Sequence, residues 1–189
     1  MSFVTNMFAR WMSRGVNRDL EQMVADIKNG KKLEVKHGPN SGVISLSDDM
    51  ITYESPAYGS WKVSAKDILV FGEYTTDNGP MIDDWFMVFV TGEDQWVEAS
   101  NYCAGMDQIR EALAVRWNVE NLWGSLAFST NFDSRVLWPS SLAETELFEF
   151  TALPQSTWET IERLGVVTLE KSLKPQVLRY MKENSAHET

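Results

Sequence analysis

The chain has 189 residues, 43% of them hydrophobic and 12% aromatic, with one cysteine and a formal net charge of −10. A chain of this length buries most of the surface its unfolded form exposes, so one domain, or one domain with an appendage, is expected without help from metals or disulfides. Cys103 alone excludes an intrachain disulfide, no Asn-x-Ser/Thr acceptor occurs, and the longest apolar run, Trp85 to Val90, is six residues where a membrane-spanning helix needs about 20.

Residues 1–37 carry 7 basic and 4 acidic groups, residues 38–118 carry 4 and 13, and residues 119–189 carry 6 and 10, so the acidity is concentrated in the middle segment. Such a segment repels a nucleic-acid backbone or an anionic lipid surface and favours a basic partner, besides keeping the chain soluble.

Taken in chain order, "FVTNMFARWM" places Phe3, Val4, Met7, Phe8, Trp11 and Met12 on one helical stripe. Arg10, Trp11 and Arg14 interrupt the apolar core that a signal peptide would need, and the cytoplasm is the expected location. After Gly15, "NRDLEQMVADIKNG" repeats the helical pattern with Leu20, Met23, Val24 and Ile27 and stops at Asn29-Gly30. The first stripe, with Phe3, Phe8 and Trp11, is expected to dock on the chain's own sheet. A homodimer through this helix is the next expectation, and a membrane surface the last.

From Lys32 the period changes to two. "KLEVKH", "GVISLS", "MITYES", "SWKVS", "DILVFGEYTT", "DWFMVFVT" and "QWVEAS" are seven candidate strands separated by hairpin-length turns. They predict an antiparallel seven-strand sheet or small barrel, and "GMDQIREALAVRW" then predicts a closing helix with Ile109, Leu113 and Trp117 on one face. Beyond it, "RVLWPSS", "ELFEFTAL" and "VVTLE" read as strands, Ser156 and Glu159 as a capping box for a short helix to Leu164, and "PQVLRYMKE" as a last helix with Pro175 in its first turn. The predicted class is therefore α+β, divided as an N-terminal helical segment (1–30), a β-rich domain with its helix (31–118) and a C-terminal α/β extension (119–189) packed on the same core.

The seven strands closed by one helix resemble, over residues 31–118, the pleckstrin-homology-like architecture. Such domains usually keep a Trp in that helix, and the resemblance implies Trp117 as its counterpart. It also implies recognition of phosphoinositides or of proteins. The first hairpin loop, "GPNSG", contains no cation although Lys31, Lys32, Lys36 and His37 lie near it, which leaves protein binding as the mode to expect.

Candidate chemistry is sparse. Asp83 and Asp84 precede the most apolar run, and neighbouring residues of a strand project to opposite faces, so the two acids converge only if they lie in the loop before it. A weak cation site there with Asp77 lacks the calcium-loop spacing, and a solvated strand end is the plainer expectation. With the connecting loop centred near Gly79, Glu73 falls opposite Trp85 and Tyr74 opposite Asp84, and a carboxyl among aromatic rings has a raised pKa if buried.

Cys103 and His37 form a thiol and imidazole pair that nothing in the sequence brings together, so Cys103 is expected to be an inert packed thiol. Neither glycine-rich phosphate cradle nor hydrolase elbow is present. No cofactor and no metal is therefore expected. The expected function is non-enzymatic: a binding or regulatory module that recognises a protein partner through an acidic patch, with Glu73, Asp77, Asp83, Asp84, Glu93 and Asp94 as candidates. A sharper form is an immunity-like inhibitor of a basic enzyme. The alternative is a small hydrolase using Glu73, Asp83 and Asp84.

Overall fold

The computed structural model describes residues 40–77, 83–126, 129, 131–152 and 169–185, all within one compact unit, His37–Thr189. The expected N-terminal helices with Phe3, Phe8 and Trp11, the expected strand at 32–37 and the capping-box helix at 156–164 lie outside the described residues.

The described chain is a mixture of antiparallel sheet and helix. In order it forms β1 (Val43–Ser47), β2 (Met50–Ser55), β3 (Gly59–Ser64), β4 (Val70–Thr75), β5 (Trp85–Gly92), β6 (Gln95–Ser100), α1 (Met106–Arg116), β7 (Asp133–Trp138), β8 (Phe148–Ala152), β9 (Leu169–Leu173) and α2 (Pro175–Ser185). Six of the seven expected strands are β1 to β6, and α1 is the expected helix. The strands do not join into the one seven-strand sheet expected. They divide into a three-stranded sheet β1-β2-β3, a four-stranded sheet β6-β5-β4-β7 and a hairpin β8-β9, and no barrel closes among the described residues. The division shows in the pairing: β4 is paired on both edges, by β5 and by β7, so β3 cannot pair with the strand that follows it in sequence.

The four-stranded sheet is covered on both faces, and the alternation of β5 shows how. Met87 and Phe89 belong to a cluster with Ile44, Ile51 and Tyr53 of the three-stranded sheet and Ile109 and Leu113 of α1. Phe86, Val88 and Val90 belong to a second cluster with Phe148, Leu173 and the α2 residues Val177 and Met181. A strand buried on both faces reads as a continuous apolar run, which is why Trp85 to Val90 lacks alternation. In β2, by contrast, Ile51 and Tyr53 are buried while Glu54 is exposed, the pattern of a sheet with one wet face.

The expected register of β4 against β5 needs correction. Glu73 pairs with Met87, Tyr74 with Phe86 and Thr75 with Trp85. The connection therefore centres one residue later than Gly79, and moving a hairpin's centre by one residue slides the partner by two. A two-residue slip keeps every side chain on its face. Glu73 and Trp85 thus remain on one face as diagonal neighbours, close enough to bond.

Candidate functional site

Glu73 sits in the middle of the central sheet with no exposed surface. Its Oε2 accepts the indole N–H of Trp85 at 2.8 Å, and its Oε1 accepts the backbone N–H of Ser125 at 2.8 Å. Burial pushes the Glu73 carboxyl above its ordinary value, opposed by the Ser125 amide, the Trp85 indole, the Leu126 amide and the charge of Arg135. Gly124 lies against this group so closely that an added Cβ would fall on Glu73 Oε2 and 2.6 Å from Trp85 Cζ2. Arg135 of β7 holds the other side of the same loop, donating at 2.6 Å to the Ser125 hydroxyl and at 2.6 Å to Glu144. Glu73 is therefore a buried clasp on the segment 122–126.

That segment returns alongside α1 because of how the helix ends. Asn118 adopts a left-handed conformation (φ 52°), its N–H donates to Val115 O at 3.3 Å, and Val119 N–H donates to Ala114 O at 3.0 Å. This pair of bonds is a Schellman motif, in which a left-handed residue turns the chain back over the helix end. Trp117 caps the helix and stacks on Trp138 at 4.2 Å between centroids.

Between α1 and the returning segment lies a groove of about 200 Å³. Arg110, Glu111, Ala114 and Val115 line it from the helix, and Val119, Glu120, Leu122 and Trp123 line it from the opposite wall. Val115 is 83% exposed and Trp123 42%, two of the large hydrophobic side chains that the described surface leaves most open. Arg110 forms the floor and is 3% exposed. Its guanidinium lies 5.1 Å from the centroid of Trp123 and 5.9 Å from that of Trp85, and donates to Asp107 at 3.1 Å and to Met87 Sδ at 3.7 Å. Burial lowers the Arg110 pKa, and the charges of Asp107 and Glu73 resist that shift. The floor cation is thus compensated from within.

Asp83 and Asp84 lie just before β5, not inside it. Asp83 Oδ1 accepts the Ser41 hydroxyl at 3.0 Å, and Asp84 Oδ1 accepts the Tyr102 hydroxyl at 2.6 Å. Both are half-buried, so the expected fully solvated strand end is corrected. The loop 40–42 and the turn after β6 fold over the end of β5 and supply hydroxyls where water was expected. Burial and the bond to Asp84 push the Tyr102 hydroxyl up, while burial and the Asp83 charge push Tyr58 up to about 12. Among the described residues, Asp83 Oδ2 and both polar side-chain atoms of the buried Asn101 have no hydrogen-bond partner. Cys103 is buried as expected, and burial raises its thiol to about 12.

Of the remaining candidates, Glu93 and Asp94 are neighbours in the turn between β5 and β6, and Asp77 follows β4. Asp77 and Asp94 are exposed, and Glu93 lies 3.6 Å from Lys182 of α2. Glu73, being fully buried, adds nothing to a surface patch. Among the described residues no hydrogen bond joins any two of Glu73, Asp83 and Asp84, and no three His, Cys, Asp or Glu side chains are grouped to hold a metal ion. No helix among these residues is long and apolar enough to cross a membrane.

Two features escaped the sequence reading. Glu98 accepts Tyr74 at 2.7 Å, Trp96 at 2.8 Å and Lys171 at 2.6 Å, a latch from β9 onto the central sheet. Trp96 two residues earlier in an alternating strand was its signal, because residues i and i+2 share a face. Arg110 was also missed. It occupies a slot among Met106, Ile109, Leu113 and Ala114 that the helical period reserves for buried residues.

No protein-family model, curated protein or solved structure matches the chain.

Proposed function

We propose that the protein is a non-catalytic binding module that receives a basic segment of a partner protein in the groove between α1 and residues 119–123. The observation that carries this reading is the juxtaposition of exposed Val115 and Trp123 across one groove whose walls also hold Glu111 and Glu120. Apolar and aromatic surface provides contact area, carboxylates attract and orient a cationic partner, and aromatic anchors are the usual centres of interface energy. The excess of 13 acidic over 4 basic groups in residues 38–118 extends the same attraction over longer range. Inhibition of a basic enzyme, in the manner of an immunity protein, is one role that such a surface serves. The resemblance to pleckstrin-homology-like domains belongs to the same proposal, supported by the succession of six antiparallel strands and a helix from β1 to α1.

The test is the binding of a defined lysine- and arginine-rich peptide to the full chain and to a Glu111→Lys, Glu120→Lys variant. The reading requires that affinity fall as salt rises and that the variant lose at least about tenfold, as close charge pairs at protein interfaces do. Equal binding by both proteins would refute it.

A further inference from the structure

Resting on that reading, we infer that the groove is a socket for a single arginine side chain of the partner, its guanidinium packed on the exposed part of the Trp123 ring. Size comes first. At about 200 Å³ the groove falls below the roughly 300 Å³ at which small-molecule sites begin, so it takes one side chain and not a drug-sized ligand. The lining then selects the type. Ala114, Val115 and Val119 offer an aliphatic wall to a long stem, while Glu111 and Glu120 flank the space where a charged head would come to rest. A short acidic or purely apolar side chain leaves one of these features unused.

Trp123 separates arginine from lysine. A planar guanidinium stacks on an indole and keeps its in-plane donors free for carboxylates, which a compact ammonium does not do. The chain already packs this corner in that way, with the Arg110 guanidinium against Trp123 at 5.1 Å and Trp85 at 5.9 Å. Arg110 does not turn the incoming cation away, because Asp107 bonds it at 3.1 Å and the buried Glu73 lies within its field. Glu73 also holds Ser125, two residues beyond Trp123, so the wall bearing the ring is fixed before any partner arrives.

The experiment uses the full chain labelled at its indole nitrogens, with the Trp123 resonance identified from Trp123→Phe. N-acetyl-arginine amide, its lysine counterpart and the neutral isostere N-acetyl-citrulline amide are each titrated, beside the lysine- and arginine-rich peptide. The arginine probe is expected to move the Trp123 signal saturably, the lysine probe less and the citrulline probe not at all. In chain labelled at its backbone nitrogens and read at the amides of the groove residues, Trp123→Leu should weaken the arginine probe about threefold or more, with Trp123→Phe in between and giving the same comparison should the Leu variant fail to fold. Equal shifts from citrulline and arginine overturn the inference. So does a peptide that binds in a Glu111- and Glu120-dependent way while free arginine leaves Trp123 unmoved, and in that case the basic-partner reading survives. Binding of no probe removes both, and self-association of the chain that blocks the groove also overturns the inference.

Discussion

Trp85 and Glu73 are diagonal neighbours on adjacent strands, and the indole N–H of one donates to the carboxylate of the other at 2.8 Å with no water-exposed surface on Glu73. Through Ser125 the same carboxylate holds the loop behind Trp123. Glu73→Ala strands the Trp85 and Ser125 donors and removes countercharge from Arg110. It should cost on the order of 3–5 kcal/mol, the range for breaking a buried charge arrangement, read as a lower urea midpoint at unchanged slope.

The pH dependence follows from the direction of the Glu73 shift. Its folded-state pKa stands above the ordinary carboxyl value of 4.5, so the native state binds the proton more tightly than the unfolded state does. The stability this contributes is complete below the unfolded pKa and is lost as pH rises through the raised folded value. Urea melts of wild type and Glu73→Gln should therefore diverge with pH. The advantage of wild type over the variant is largest below the ordinary carboxyl value of 4.5 and shrinks as pH is raised above it, whereas a constant difference would contradict the raised pKa.

Gly124 carries the groove's wall past Glu73 with no room for a side chain, since a Cβ would meet the carboxylate and stand 2.6 Å from Trp85 Cζ2. Gly124→Ala should destabilise by about 1–3 kcal/mol, as overpacking of a filled site does. It should also weaken the basic peptide, since the displaced loop moves Trp123. A variant as stable as wild type, measured by thermal unfolding, would contradict the contact.

Cys103 is buried, and burial raises its thiol to about 12. At neutral pH a disulfide reagent should label it only as fast as the fold opens, with full labelling in denaturant. Rapid native-state labelling would show that the site is open.

Lys171 of β9 donates at 2.6 Å to Glu98 and at 2.9 Å to Tyr74. Lys171→Met keeps the stem and deletes the charge, and with the Lys171 and Glu98 side chains both partly exposed the loss should be about 1–2 kcal/mol, between the ranges for surface and buried pairs. Chemical denaturation measures it.

These relationships were unevenly legible in the sequence. The strand Trp85–Gly92 announced itself by an apolar run that only burial on both faces allows, and α1 by its period. Glu73 and Trp85 were linked correctly in face and wrongly in register, because alternation determines face while the loop centre determines register. The groove was not legible: it needs Asn118 in a left-handed turn to bring Trp123 back over Arg110, a local conformation with no strong signal when the residue is not glycine. The latch from Lys171 to Glu98 joins residues 73 apart in sequence, beyond any periodic pattern. The acids singled out from sequence, Asp83 and Asp84, turned out to be held by Ser41 and Tyr102, whose proximity no spacing rule foretells.

On the proposed reading, the carboxylates beside Trp123 draw in a basic partner. The affinity of the lysine- and arginine-rich peptide across a salt series tests this, for wild type and for Glu111→Lys, Glu120→Lys, with circular dichroism confirming that both are folded. Binding should weaken steadily with salt in wild type and be at least about tenfold weaker in the variant at low salt. Binding that ignores both salt and the two substitutions would contradict it.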